Sequence, residues 1–150
     1  MDSQKKSLLD VADIQKHMEL DDFGFGRWIA IQITTASYGV VEAELVVRDD
    51  MSRPGGTVAG PVLMGIADAA MWGAAMTVNP VGNQSVTSDF TIHFLSRPAA
   101  RILRCRAEVI KPGRKIMVMR ADITCDDDPR VVCACQGAYA VAPVTLVPDK

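Results

Sequence analysis

The stretch Gly55–Trp72, GGTVAGPVLMGIADAAMW, decides the fold of this 150-residue chain. From Pro61 to Val78 the sequence reads as one helix, since proline suits a first helical turn and Asn79-Pro80 ends the pattern. Nearly every residue of this segment is apolar, which predicts a helix that is buried on all sides. Asp68 is its one charged residue. An unpaired buried carboxylate is costly, so Asp68 needs either a partner or a chemical role.

The composition is that of a single globular domain, predicted to span residues 1–150, with 49% hydrophobic and 23% charged residues. A net charge of -2 without a long run of one sign predicts no nucleic-acid partner. The N-terminus lacks an apolar signal region, and the apolar helix is too short and too interrupted for a membrane span. The four cysteines lie in apolar segments without Cys-x-x-Cys spacing, which predicts reduced thiols in the cytoplasm and no metal site.

Periodicity predicts a short amphipathic helix over about residues 7–20, a loop over 21–26 and the core of the domain over about 27–142. Six segments read as strands: Trp28–Thr35, Tyr38–Arg48, Ser85–Leu95, Ala100–Ile110, Lys115–Cys125 and Val131–Val141. Short turns predict a hairpin from the first two and an antiparallel meander from the last three. The predicted class is α+β, an antiparallel sheet wrapped around one long buried helix, with its open edges closed by dimerisation.

The motifs around the long helix, in their order, carry a family resemblance. Ala59-Gly60-Pro61 precedes the helix, and Asp68 follows seven residues after Pro61. This chain thereby resembles the hotdog-fold acyl-CoA thioesterases, and within them the PaaI-like, phenylacetate-pathway group, whose signature is His-Gly-Gly followed by Asp at that spacing. Three further segments match the family's next strand, its Gly-Arg turn and its last strand: Val86–Leu95 with Arg97-Pro98, Lys111–Lys115, and Cys135–Tyr139. The resemblance covers about residues 27–141.

The resemblance implies hydrolysis of an acyl-CoA thioester to free acid and CoA, without a metal or organic cofactor. It implies Asp68 as general base or nucleophile, Thr87 as the residue that helps to orient water, and Gly60 as the source of an oxyanion-hole N–H. A helix N-terminus suits that last role, because it offers free N–H groups and a partial positive charge. In the family the carboxylate and its strand partner often come from different subunits, which implies a site at the interface of a homodimer or homotetramer.

The chain departs from the family signature at two positions beside the predicted oxyanion hole. Ala59 stands in place of the histidine, and Pro61, which has no N–H, stands in place of the second glycine. Arg53 stands where the family often has Asn or Gln. These three residues, with Arg114 and Lys115 after the Gly113 turn, are the predicted substrate-binding set, the last pair facing either the CoA phosphates or solvent.

Two other interpretations of these residues remain open. Loss of the histidine is also typical of a relative that binds acyl-CoA or another acyl ligand without hydrolysing it. A carrier-linked hydroxyacyl dehydratase would need a histidine before the helix and a glutamate on it, and the sequence has neither at that spacing. The sequence leaves open the acyl group, the pathway, the choice between base and nucleophile, and dimer against tetramer.

Overall fold

The apolar segment that follows Ala59 forms the central helix of the protein. In a computed structural model, which describes residues 5–141, this helix spans Gly60–Val78, and most of its residues are buried. It is long and apolar enough to cross a membrane, but its burial within the protein is that of a core helix. The helices are α1 (Val11–Met18), α2 (Gly24–Ile29) and α3 (Gly60–Val78).

Between residues 5 and 141, eight strands accompany the helices, and six of them form one sheet. The strands are β1 (Gln32–Ser37), β2 (Val40–Val46), β3 (Ser52–Arg53), β4 (Thr57–Val58), β5 (Val86–Phe94), β6 (Ile102–Lys111), β7 (Ile116–Cys125) and β8 (Asp128–Ala140). The large sheet has the order β1-β2-β6-β7-β8-β5, with every neighbouring pair antiparallel. This confirms the predicted hairpin, the meander and the α+β hotdog class.

The two faces of the sheet differ in chemistry because side chains alternate along each strand. On β6, Leu103, Cys105 and Ala107 are buried towards α3. The opposite face carries charged pairs, such as Arg104 with Glu44 at 2.9 Å. One face of the sheet therefore forms the core with α3, and the other is polar.

The structure corrects the prediction for the segment before the sheet. Residues 24–29 form α2 instead of a loop and the start of a strand, and β1 begins at Gln32. Gly26 lets this short helix form, because a Cβ there would lie 2.4 Å from the backbone oxygen of Met18 and from the ring of Phe23. The helix ends at Ala30, which has a left-handed φ of 54°. Helix α1 is also shorter than predicted, since Asp10 caps it by accepting a hydrogen bond from the Asp13 N–H.

All four cysteines are free thiols, and three of them are buried. Burial raises the pKa of Cys133 to about 11 and that of Cys135 to about 12. These thiols are therefore protonated and unreactive at neutral pH. Within residues 5–141 the structure shows no cluster of three or more metal-ligating side chains.

Candidate active site

Asp68 has two hydrogen-bond partners, both from neighbouring strands at the end of the sheet. The Thr87 hydroxyl donates to Asp68 Oδ1 at 2.7 Å. The Tyr139 hydroxyl lies 2.5 Å from the same oxygen and 2.7 Å from the backbone oxygen of Asp68. Among residues 5–141, Oδ2 has no hydrogen-bond donor. The carboxylate is thus held through one oxygen, while the other is left for a ligand.

A β-bulge places Thr87 beside the carboxylate. Thr87 pairs with Tyr139 across β5 and β8, but the next pair is Asp89 with Ala138, so Ser88 is an extra residue. Such a bulge shifts the side-chain alternation by one position. Thr87 therefore lies on the same side of β5 as Phe90, and both line one cavity with Asp68. Without the bulge, the strand would turn one of these two side chains away from α3.

Tyr139 is a buried phenol in an otherwise apolar row of β8. Its exposed fraction is 1%, and the inward positions before it are Cys133, Cys135 and Gly137. Burial, together with the negative charge of Asp68, raises the pKa of Tyr139 far above its ordinary value. Tyr139 is therefore a neutral hydrogen-bond donor throughout the physiological pH range. The sequence prediction did not include it, although a lone phenol among the inward residues of a strand was the available signal.

Two cavities meet at Asp68, and Phe25, Gly65, Asp68 and Thr87 line both of them. The first has a volume of about 340 Å³ and continues towards the start of α3, with Pro61, Met64 and Phe90 in its wall. The second has a volume of about 410 Å³ and is walled partly by Phe23, Trp72 and Tyr139. Apart from Asp68 and Tyr139, the lining residues contain no ionisable side chain. An extended apolar ligand could therefore pass along α3 with its reactive centre at Asp68.

Helix α2 supplies the aromatic wall of both cavities, and Gly65 allows it to pack closely on α3. A Cβ at Gly65 would lie 2.7 Å from Ile29 Cδ1 and 2.8 Å from Phe25 Cζ. The absence of a side chain at Gly65 thus positions the Phe25 ring beside Asp68. Of the helix methionines, Met64 lines the first cavity, whereas Met71 and Met76 belong to the core.

Gly60 and Asp68 are at different places along α3. Gly60 is the first residue of the helix, and its N–H has no acceptor within residues 5–141. Asp68 comes eight positions later in the helix, which is roughly 12 Å along the axis. Gly60 lines a different cleft of about 320 Å³, together with Arg53 and Arg97. Within one chain, the predicted oxyanion donor and the carboxylate are therefore too far apart to contact the same carbonyl group.

The other predicted site residues take three positions. Ala59 is the N-cap of α3, and Pro61 lies in the first cavity with Asp68. Arg114 and Lys115 are exposed in the turn before β7. This turn is at the same end of the sheet as Thr87, because Met117 on β7 pairs with Tyr139, and Tyr139 pairs with Thr87.

Thr87 contacts Asp68 within one chain, so this pair forms without a second subunit. His93 is exposed on β5.

The fold and this carboxylate site define a class of protein. A family model described as the thioesterase superfamily matches residues 55–132, more than half of the chain. The chain therefore belongs to the thioesterase superfamily, a class of thioester hydrolases. A Thermoplasma acidophilum protein named "Putative esterase Ta0293" is 26% identical over 135 residues, covering 89% of this chain and 98% of that protein.

Solved structures of the same superfamily share the fold. The PaaI protein of the Escherichia coli phenylacetic acid degradation operon has a TM-score of 0.71 at 22% identity, covering 86% of this chain and 96% of that one. A hypothetical thioesterase of Streptococcus pneumoniae, solved with coenzyme A, has a TM-score of 0.67 at 22% identity, covering 75% and 85%. These similarities confirm the hotdog fold and the resemblance to PaaI predicted from the motifs.

Proposed function

We propose that this protein hydrolyses an acyl-CoA thioester to a free acid and CoA. The observation that carries the proposal is the half-buried carboxylate of Asp68, held by donors on Oδ1 and left without a described donor on Oδ2. It lies where two mainly apolar cavities meet, which suits a thioester with an apolar group on either side. The coenzyme A bound by the Streptococcus pneumoniae relative supports CoA as the thiol.

Asp68 Oδ2 supplies the nucleophilic step in either of two ways. As a general base it removes a proton from water while the water oxygen attacks the carbonyl carbon. As a nucleophile it attacks that carbon itself, giving a mixed anhydride that water then hydrolyses. In both routes the negative charge on the carbonyl oxygen collapses to expel the CoA thiolate, which takes up a proton. The Thr87 hydroxyl, which donates to Oδ1, is close enough to help orient the water.

The oxyanion donor in this proposal is the Gly60 N–H of a second copy of the chain. An oxyanion hole requires a donor about 3 Å from the developing charge, and the Gly60 of the same chain lies roughly 12 Å along the helix from Asp68. A two-fold dimer that brings the start of one α3 near the middle of the other satisfies this distance twice, because the contact is repeated by symmetry.

Strand β5 is the edge that suits such an interface. It is the last strand of the sheet, so one of its sides has no partner among the described residues. Val86, beside Asp68, is 63% exposed, and Phe94, beside the Gly60 cleft, is 53% exposed; both lie on this strand. An unpaired strand edge with exposed apolar side chains favours association with another copy. We infer at least a homodimer, with β5 at its interface.

The basic residues near the two ends of the site are the proposed contacts for the CoA phosphates. Arg114 and Lys115 are exposed in the turn before β7 and make no ion pair within residues 5–141. Arg53 and Arg97 line the cleft beside Gly60. Guanidinium and ammonium groups are suitable phosphate donors. The free thiols agree with a reducing, cytoplasmic compartment, which is likewise part of the proposal.

Free-thiol release from a panel of short, long and aromatic acyl-CoAs tests the proposed function. We expect release from substrates with an apolar acyl group, since the cavity walls beside Asp68 are largely Phe23, Phe25, Trp72 and Met64. Ala59 and Pro61 in place of the family's His and Gly favour the rival, a binder without turnover. Saturable binding of acyl-CoA with no thiol release from any substrate would establish that rival and refute the hydrolase.

Mixing two inactive variants tests whether the site is shared between copies. Asp68→Asn removes the carboxylate and Gly60→Pro removes the N–H, so each homodimer is expected to be inactive. A dimer with one chain of each type has one intact site if Gly60 and Asp68 act across the interface, so random assortment restores about a quarter of wild-type activity. Co-expression with two different affinity tags isolates the mixed dimer. Activity that stays at the level of the separate variants would place the whole site within one chain.

A further inference from the structure

Building on the proposed function, we infer that Tyr139 is a positioning residue for the reaction, acting through Asp68 rather than on the substrate. Its hydroxyl lies 2.5 Å from Asp68 Oδ1 and 2.7 Å from the Asp68 backbone oxygen. The phenol oxygen of Tyr139 is thus within hydrogen-bond distance of both the side chain and the backbone of Asp68.

The phenol proton of Tyr139 is donated to the carboxylate of Asp68. Tyr139 has one proton and two acceptors in reach, and the ionised carboxylate is the stronger of the two. With the Thr87 hydroxyl also donating, Oδ1 has two donors, which uses its two lone-pair directions. Oδ2 then carries the lone pairs that have no described donor, on a residue that lines both cavities. The pair of hydroxyls therefore selects which carboxylate oxygen reacts.

The fold holds the two donors at a fixed spacing. Thr87 and Tyr139 are directly opposite each other in the register of β5 and β8. The bulge at Ser88 turns Thr87 to the same side as Tyr139, towards α3. Because a carboxylate on a single bond can rotate, two donors from a rigid pair of strands restrict it more than one donor could.

The position of Tyr139 is poorly explained by packing alone. A phenylalanine would fill the same space in the core without burying a hydroxyl, and burying that hydroxyl costs free energy unless it is hydrogen-bonded. Within residues 5–141 its only acceptors are the two oxygens of Asp68. The hydroxyl therefore serves Asp68, and removing it should affect the carboxylate more than the core.

Tyr139→Phe tests this role, with Tyr38→Phe as the matched control. Tyr38 is the only other tyrosine and lies in the β1–β2 turn, far along the sequence from the site. We expect Tyr139→Phe to lower kcat about tenfold or more with KM nearly unchanged, because Asp68 loses one of the two donors that hold its reactive orientation. The acid limb of the kcat/KM profile should move to higher pH, since the ionised carboxylate loses a donor.

A second variant keeps the hydroxyl of Tyr139 and makes it a stronger hydrogen-bond donor. Growth on 3-fluorotyrosine in the Tyr38→Phe background labels Tyr139 alone, and the fluorine makes its hydroxyl a stronger donor. The acid limb should then move in the opposite direction, to lower pH. A purely structural role for Tyr139 would leave the acid limb in place in both variants, and that result would overturn the inference.

A crystal structure of Tyr139→Phe separates this inference from the proposed function. If Tyr139 positions Asp68, the carboxylate should rotate away from its wild-type orientation or occupy two rotamers, whether or not the protein releases thiol. If wild type hydrolyses no acyl-CoA, the proposed function fails while a rotated carboxylate still supports the positioning role. An unmoved carboxylate in the variant would refute that role even in an active enzyme.

Discussion

Asp68→Asn is expected to lower kcat for thiol release by about 10²–10⁴-fold, the range over which a positioned acid–base group contributes. Asparagine has nearly the same shape, and its amide oxygen can still accept hydrogen bonds from Thr87 and Tyr139. The variant should therefore fold and bind acyl-CoA as wild type does. It loses the charge and the free lone pairs on the second oxygen, which are what either chemical route needs.

The matched control for this variant is Asp122→Asn. Asp122 lies on the polar face of the sheet, on β7 between the buried residues Ala121 and Ile123, so its side chain points away from α3. Its activity and its unfolding midpoint in urea should match those of wild type. Equal activity of Asp68→Asn and wild type would remove Asp68 from the mechanism. Single-turnover hydrolysis in H₂¹⁸O, followed by mass spectrometry of Asp68, separates the two routes, because only the nucleophile incorporates the label.

Gly60→Pro is expected to lower kcat by about 10²–10³-fold, as loss of one oxyanion-hole donor does. The substitution removes the N–H that has no acceptor within residues 5–141 and leaves the helix able to form, because proline is suited to a first helical position. The preceding residue, Ala59, already has the extended conformation that proline requires, with φ -66° and ψ 139°. KM should change much less than kcat, because the lost interaction forms mainly in the transition state.

Gly60→Ala provides the comparison, because it adds a methyl group but keeps the N–H. A Cβ at this position would lie 3.4 Å from Phe94 Cζ, an ordinary contact, so the variant should fold and keep activity within severalfold of wild type. Circular dichroism and thermal unfolding check that both variants retain the fold. If both lower kcat to the same degree, the effect comes from the added bulk near Phe94, and the N–H of Gly60 is not the oxyanion donor.

The sequence predicted those features that depend on the pattern of neighbouring residues along the chain. The unbroken apolar run after Pro61 predicted α3, because a helix without a polar face must be buried. Alternation along residues 100–110 predicted β6 and its two chemically different faces. The isolated charge at Asp68 predicted a residue with either a partner or a chemical role, since an unpaired carboxylate there would be costly. The predicted loop over 21–26 and strand start at Trp28 were wrong, because the six-residue helix α2, with two glycines, depends on packing against α1 and α3 and has little periodicity of its own.

Tertiary structure alone decided how the site is assembled around Asp68. The bulge at Ser88 depends on the pairing of β5 with β8, strands about fifty residues apart in the chain, and it turns Thr87 towards the helix. The same pairing brings Tyr139 to the carboxylate, a contact that no sequence spacing encodes. The rise of α3 sets Gly60 roughly 12 Å along the helix from Asp68. One chain therefore cannot bring both groups to the same carbonyl, and the proposed oxyanion donor comes from a second copy. The sequence by itself determined α3, the six strands of the large sheet and the isolated carboxylate, because burial and periodicity act locally. The tertiary structure decided the partners of that carboxylate, because they depend on the register between distant strands.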